Sequence, residues 1–337
     1  MAATLREVAQ AAGVSRSAVS RAFTPGASVS AKTRAAIMAA AADLGYSPNA
    51  LASGLSTGRT KMIGLVSNNF HNPIFLEVFD QFTQGLQERG LRPLLVNLSG
   101  GMDQAAAVQM LRRYRVDGVI LASSTLPPEF ADSFHAAQLP VVHSFGRCAP
   151  GGLVHQVGVD NVVCGQLAAQ VLIDRGYRKI AFLGGPESAT STQDRLKGFA
   201  LVANQAPGVQ FTRSFASAYS FNAGRAELQR LLASEPRAEA YFCGDDVLSI
   251  GALSALAEAG LRVPQDVGIL GFNDMEMARW ANINLTTIHQ PIGEIIAASI
   301  DLVVEAIAAR ASSPDAPPKT KLFACSLVER GTLRPRA

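Results

Sequence analysis

The chain has 337 residues, 48% of them hydrophobic and 7% aromatic, with 30 Lys or Arg against 27 Asp or Glu, which leaves room for more than one domain and suits α/β layers built on Ala, Val and Leu. Four scattered cysteines, Cys148, Cys164, Cys243 and Cys325, show neither a disulfide framework nor metal-ligand spacing. No run approaches about 18 uninterrupted apolar residues, and the N-terminus lacks the apolar core of a secretion signal, so the expected compartment is the cytoplasm, with no membrane partner.

The charge is unevenly placed along the chain. Residues 1–61 hold Arg6, Arg16, Arg21, Lys32, Arg34, Arg59 and Lys61 against Glu7 and Asp43, a net of +5, which leaves −2 for residues 62–337 of the total +3. A basic head on a slightly acidic body points to nucleic acid at the head, held through its phosphates.

The stretch from Thr4 to Phe23 reads as two short helices joined by a tight turn. Thr4 and Glu7 form a capping box, with Leu5, Val8, Ala9 and Ala12 as the apolar stripe and Gly13 as the stop. Ser15 caps a second helix whose apolar side is Ala18, Val19, Ala22 and Phe23 and whose outward side is Arg16, Ser17, Ser20 and Arg21. Such a small, basic face fits the major groove, where Arg bonds guanine edges. A third helix runs from about Ala31 to Leu44, capped by Ser30. Ile37, Met38, Ala41 and Leu44 are expected to cover the first two helices, while Lys32 and Arg34 stay near the N-terminal end, where a phosphate would also meet free N–H groups. Residues 49–60 form a linker in which Asn49–Leu55 is too short for a stable isolated helix, and Gly54 weakens it further.

From residue 61 the pattern alternates strand and helix. Met62–Val66, Pro93–Asn97, Gly118–Ala122, Pro140–His143 and a segment around Val157 read as strands, with helices at Ile74–Arg89, Asp103–Tyr114 and Val162–Arg175. The rhythm restarts with strands at Lys179–Leu183, Gln210–Phe215, Glu239–Cys243 and Val267–Leu270 and helices near 193–205, 221–233 and 247–259. Leu285–His289, a long helix at Ile292–Ala309 and a strand at Lys321–Cys325 complete the chain. Uninterrupted Val, Ile and Leu strands belong inside parallel sheets covered on both faces. The expected fold is an all-α helix-turn-helix head over 1–48, a hinge over 49–60 and a two-lobed α/β body over 61–337. Lobe 1 takes about 61–160 plus 291–320, and lobe 2 about 161–290 plus 321–337. A cleft between two such lobes can enclose a small molecule.

The motifs LREVAQAAGVSRSAVSRAF, VSAKTRAAIMAAAADLGYSPNALASGLSTGRTKMIGLV, RRYRVDGVIL, VGVDN, GYRKIAFLGGP, QDRLKGF, LSIGALSALAEAGLRVPQDVGILGFND and LTTIHQP resemble the LacI/GalR family of bacterial transcription regulators over nearly the full length. The resemblance implies a helix-turn-helix that reads operator DNA as a dimer, a hinge helix that enters the minor groove, and lobes similar to periplasmic sugar-binding proteins. Carried over by residue, Arg16, Ser17 and Arg21 fall at base-reading positions, and Ser15, Ser20, Thr33 and Arg34 at phosphate-contacting or capping positions. Leu55 matches the hinge leucine that wedges into a base step. Ala18, Ser53 and Gly54 depart from the common Thr, Arg and Ser.

In the cleft the resemblance assigns effector binding to Arg195. Asp245 and Asn273 stand where many members carry Asn and Asp, so acid and amide look exchanged between the two positions. Strand ends add Asn69, Phe70, Asn72, Tyr219, Phe221 and Asp160, the last of which also suits the lobe crossover. Trp280 could cover a sugar ring or pack at a lobe edge. Asp246 and Asp274 are expected to stabilise turns or helix starts. No ligand role is carried across HSFGRC, which holds one residue more than the usual family form.

Enzyme readings compete poorly. The Gly184-Gly185-Pro186 turn lacks the spaced glycines of a dinucleotide fingerprint and no Walker-type lysine follows, and five scattered histidines show neither ligand spacing nor a local triad. The expected function is a ligand-responsive operator-binding regulator, a repressor of a catabolic gene set. It needs no cofactor or metal, and it answers to a sugar, polyol or sugar acid. It is expected to work as a homodimer, a tetramer requiring further contacts. A purine-type corepressor would use many of the same positions, and a periplasmic-type solute-binding protein is the other alternative.

Overall fold

The computed structural model describes residues 3–24, 26–47, 59–99, 103–148, 151–234, 237–310 and 317–336. The chain divides into two compact units, Met1–Lys61 and Met62–Ala337. Residues 49–58 of the hinge segment, including Leu51, Gly54 and the wedge candidate Leu55, lie outside the described residues.

The head is three helices, α1 (Leu5–Ala11), α2 (Arg16–Ala22) and α3 (Ala31–Asp43). The capping box forms: the Glu7 N–H donates to Thr4 Oγ1 and the Thr4 N–H donates to Glu7 Oε2 at 2.7 Å. These bonds from Thr4 hold the Glu7 carboxyl below its ordinary value. Gly13 closes α1 at φ +63, a conformation that favours glycine. Val8, Val19 and Ile37 are fully buried with Ala9, Ala22 and Ala41 around them, while Phe23 meets Tyr46 edge-on at 5.7 Å. Met38 and Leu44, expected to help cover the first two helices, are instead 42% and 41% exposed. A thirteen-residue helix against two seven-residue ones has only one side to bury.

The second unit holds two six-stranded sheets. The first is built from β1 (Met62–Ser67), β2 (Arg92–Asn97), β3 (Gly118–Ala122), β4 (Val141–Ser144), β5 (His155–Val159) and β11 (Thr320–Phe323), in the order β11-β5-β4-β3-β1-β2. All its pairings are parallel, and Leu65 sits opposite Leu95 on β2 and Ile120 on β3. On β3, Ile120 and Ala122 enter one core while Val119 and Leu121 enter another. Helices α4 (Ile74–Glu88) and α11 (Ile292–Ala309) therefore cover one face, and α5 (Gln104–Arg113) and α6 (Pro128–Ala136) the other. Alternate residues of a strand point to opposite faces, so both must be apolar. The helix α6 was not expected from the sequence; it begins on Pro128 and buries Phe130 and Phe134.

The second sheet joins β6 (Lys179–Gly184), β7 (Gln210–Phe215), β8 (Ala240–Cys243), β9 (Gly268–Asn273), β10 (Thr287–His289) and β12 (Ser326–Val328), ordered β12-β10-β9-β8-β6-β7, with β12 antiparallel. Its helices are α7 (Asn161–Asp174), α8 (Thr190–Gln205), α9 (Phe221–Leu232) and α10 (Asp246–Glu258). The assignment of 321–337 to the second lobe needs correction: residues 321–323 pair with Val157–Val159 in the first sheet, and the chain changes lobe only at Ala324–Cys325. One expected strand is thus two, because neighbouring edges of different sheets each accept a few residues.

Glycine lets the second lobe's helices touch backbone to backbone. A Cβ on Gly165 would lie 2.0 Å from the Arg195 carbonyl oxygen, and one on Gly198 1.9 Å from that of Val162. Gly165→Ala is therefore expected to force α7 and α8 apart and lower stability by about 1–3 kcal/mol. Urea unfolding of the full chain reads this directly as a fall in the transition midpoint.

Candidate DNA-binding head and interlobe cavity

In the head, α2 presents Arg16, Ser17, Ser20 and Arg21 to solvent. Ser15 caps it by accepting the Ala18 N–H at 3.2 Å, and its hydroxyl is 2.9 Å from that of Ser17. Ser30 caps α3 in the same way through the Thr33 N–H, with the Thr33 hydroxyl at 2.7 Å, and Lys32 beside them is exposed. Arg34, expected at a backbone phosphate or a cap, is turned inward. Its Nη1 donates to the Ala22 carbonyl and its Nη2 to the Ala27 carbonyl at 3.1 Å. A guanidinium suits the free carbonyls at the end of α2, so this arginine closes the recognition turn rather than facing solvent.

Each sheet of the second unit has a 2-1-3 strand order, in which the first strand lies between the second and third. The loops leaving the carboxyl ends of such strands diverge and open a crevice. The two crevices face each other and enclose a small cavity, partly open to solvent. Ile74, Phe75, Val78, Phe145 and Ile292 give it an apolar side; Asn69, Asn72, Ser124, Arg195, Tyr219, Asp245, Asn273 and Gln290 supply polar groups.

Asp245 organises the polar side. It follows β8, caps α10 by accepting the Val247 N–H at 2.9 Å, and takes a bond from Asn273 Nδ2 at 3.0 Å and another from Asn72 Nδ2 at 2.8 Å. Asn72 belongs to the first lobe, so this carboxylate is a point at which the lobes meet. The Thr190 N–H donating to the Ser124 carbonyl at 3.2 Å and an Arg147–Asp194 ion pair also cross between lobes. Arg195 is buried with its guanidinium 3.6 Å above the Phe272 ring. Its Nε donates to Asn161 Oδ1 at 2.8 Å and its Nη1 to the Gly244 carbonyl at 2.6 Å, which leaves Nη2 without a hydrogen bond among the described residues. The Tyr219 hydroxyl lies 2.7 Å from Thr192 and 3.0 Å from Ser191.

Residues 4–49 match the model of bacterial regulatory proteins, lacI family, and residues 169–333 that of a periplasmic binding protein-like domain. The HTH-type transcriptional repressor PurR of Edwardsiella ictaluri (strain 93-146) is 32% identical over 312 residues, 91% of each chain. The chain belongs to the LacI family. Among solved structures, the lac repressor dimer bound to operator and the anti-inducer ONPF is 26% identical with a TM-score of 0.86, covering 98% of this chain and 99% of that one. A complex of the transcriptional regulator CelR with cellobiose is 28% identical, with a TM-score of 0.73 and the same coverage. This LacI-family chain is thus a DNA-binding transcriptional regulator with an effector-binding domain, and the family is one of regulators rather than enzymes.

Six of the ten cavity residues expected from the LacI-family motifs and strand ends line the cavity together: Asn69, Asn72, Arg195, Tyr219, Asp245 and Asn273. The exchanged acid and amide are bonded to each other. The other four are not lining residues. Phe70 stacks on Phe79 at 4.8 Å; Asp160 is spent on capping α7 through the Val162 and Val163 N–H groups. Phe221 opens α9 and Trp280 follows a short 3-10 turn, 39% and 50% exposed. Sequence reasoning missed Phe75, Phe145, Ser124 and Gln290. Phe145 sits in the HSFGRC segment at φ +70, a strained backbone held by its N–H to the Val157 carbonyl at 3.0 Å; Gln290 lies in the quoted LTTIHQP motif, at the second crossover.

Burial decides the titration of this region. It pushes the Asp245 carboxyl up to about 6 from 3.8, against the bonds from Val247 and Asn72 and the charge of Arg195. It pushes Asp246 up to about 8, opposed by the Thr287 hydroxyl at 2.6 Å. Both folded values exceed the unfolded one, so the native protein holds protons that the unfolded chain releases. The stability these sites contribute is complete below about pH 4 and lost as pH rises through about 6 and about 8. Buried His143, held down to about 4, works in the opposite sense below about 6.5. Between pH 6.5 and 8 unfolding free energy should therefore fall with rising pH. Asp246→Asn should flatten that slope, measured by denaturant unfolding at several pH values.

Proposed function

We propose that this regulator is a repressor that binds its operator as a homodimer and answers to a sugar, polyol or sugar acid held in the interlobe cavity. The observation that carries the reading is the Asp245–Asn72–Asn273–Arg195 cluster, whose members come from both lobes and face a cavity with one apolar side. A ring that is apolar on one face and ringed by hydroxyls matches that division: Phe75 and Phe145 lie on the apolar side, with amides, the Arg195 Nη2 group and Ser124 available to hydroxyls. The cellobiose complex of CelR supports this class. The similarity to PurR repressors supports a second reading, a purine-type corepressor, for which the same amides and aromatic rings would serve a flat nucleobase. The site of action is the cytoplasm, where operator DNA is found.

An effector that bridges Asn72 and Asp245 favours one lobe arrangement over another, and its differential affinity for the two arrangements is what shifts operator binding. Arg16, Ser17 and Arg21 on α2 would read base edges, with Ser15, Ser20, Lys32 and Thr33 near phosphates. Leu55 would act at the hinge, as the family resemblance implies.

Titration calorimetry of the full chain against pentoses, hexoses, sugar acids and nucleobases, repeated as operator release, tests the effector class; heat only from nucleobases would replace the first reading by the second. With the ligand so identified, Arg195→Ala should weaken its binding by about 2–5 kcal/mol, while Trp280→Ala leaves affinity unchanged. On the DNA side, Arg16→Ala should cost about 1–3 kcal/mol on the best operator and relax preference at one base pair. Lys32→Ala should weaken all DNA alike and reduce the salt slope by about one. Binding to a base-substituted operator set separates the two effects.

A further inference from the structure

Two of the four cysteines meet at the hinge between the lobes. Cys164 lies in the first turn of α7, directly after the first crossover at Val159–Asp160, and Cys325 lies in the third crossover, between β11 of one sheet and β12 of the other. Their sulfurs are 2.9 Å apart, with the Cys164 thiol donating to Cys325 Sγ. A disulfide needs about 2.05 Å, so the side chains already converge. The pair is unequal. Cys164 is buried and Cys325 half-buried, and the bond from Cys164, assisted by the nearby Arg195 charge, holds the Cys325 thiol below its ordinary value against the effect of burial. The bond to Cys325 and burial raise Cys164 in turn, so it follows Cys325 rather than reacting first; burial pushes Cys148 and Cys243 up to about 12, and neither has a second thiol beside it.

We infer that Cys164 and Cys325 form a peroxide-responsive thiol pair whose disulfide ties the third crossover to the second lobe and restrains lobe movement. The Cys325 thiolate attacks a peroxide oxygen; the O–O bond breaks, the leaving oxygen takes a proton as an alcohol or water, and Cys325 becomes a sulfenic acid. The Cys164 sulfur then attacks the Cys325 sulfur, the S–S bond forms, the S–O bond breaks and the hydroxyl leaves as water with the Cys164 proton. Two electrons pass from the thiols to the peroxide, and a small-molecule thiol reverses the reaction. The consequence reaches the cavity through one turn of helix, since Arg195 bonds Asn161, three residues before Cys164. It also acts on a rigid body, because Gly165 fixes α7 against α8. The inference does not depend on which effector the cavity takes.

Reduced full-length protein treated with equimolar hydrogen peroxide should lose two of its four free thiols. Peptide mapping without reductant should show a 164–325 cross-link that dithiothreitol removes. Hydrogen exchange over residues 320–328 should slow in the oxidised form. Cys148→Ser should keep the cross-link, and Cys325→Ser and Cys164→Ala, each checked for folding by its thermal transition, should abolish it. Oxidation that stops at a sulfinic acid on Cys325, that joins two chains, or that consumes Cys148 first would overturn the pairing. A cross-link that leaves exchange at the third crossover unchanged would overturn the restraint on the lobes.

Discussion

A carboxylate taken out of water costs several kcal/mol unless other groups replace its hydration, and the interlobe cavity is arranged around one. Every group that compensates Asp245 comes from a different element: the Val247 N–H from its own helix start, Asn273 from the end of β9, Asn72 from the loop after β1 and the charge of Arg195 from α8. Removing any one leaves the others oriented around an under-solvated oxygen. Because one partner belongs to the opposite lobe, lobe closure and the solvation of this carboxylate are the same event. An occupant that competes for Asn72, or for Asp245, acts on that event directly.

Rigidity within each lobe sends any movement to the crossovers. In the second lobe, α7 against α8 and α9 against α10 approach so closely that Gly165, Gly198, Gly224 and Gly251 have backbone atoms where a Cβ would stand. Packed cores of this kind switch between arrangements rather than deform continuously. Three short links, at Val159–Asp160, Gln290–Pro291 and Ala324–Cys325, remain to absorb a change of angle. Two of them lie beside residues that bear on the cavity: Gln290 lines it, and Asn161, which follows Asp160, holds Arg195. Geometry at the hinge and chemistry in the cavity are therefore coupled through single side chains.

The head, the strand rhythm and the family were legible in the sequence because each rests on local rules. A Thr4–Glu7 capping box, Ser15 and Ser30 as helix caps, Gly13 as a stop, and apolar runs such as Gly118–Ala122 depend on neighbours a few residues away, and the structure reproduces them. The motifs brought Arg195, Asp245 and Asn273 into consideration together. The helix at Pro128–Ala136 escaped notice because its apolar residues are few and its Pro-Pro start reads as loop.

What tertiary structure decided is everything that depends on which groups compete for a side chain. Arg34 looked available to phosphate until the ends of α2 and its following loop claimed its donors. Asp160 was claimed by α7 and Phe70 by Phe79. Phe145 entered the cavity because a strained backbone turns it there. Residues 321–323 joined the first sheet because β5 offered an open edge. Local sequence determines which elements form, since helix hydrogen bonds and caps close within a few residues and a strand's apolar run is itself local. Partners as far apart as Asn72 and Asp245, 173 residues, are set only when the sheets are stacked, because long-range packing alone brings their atoms within bonding distance.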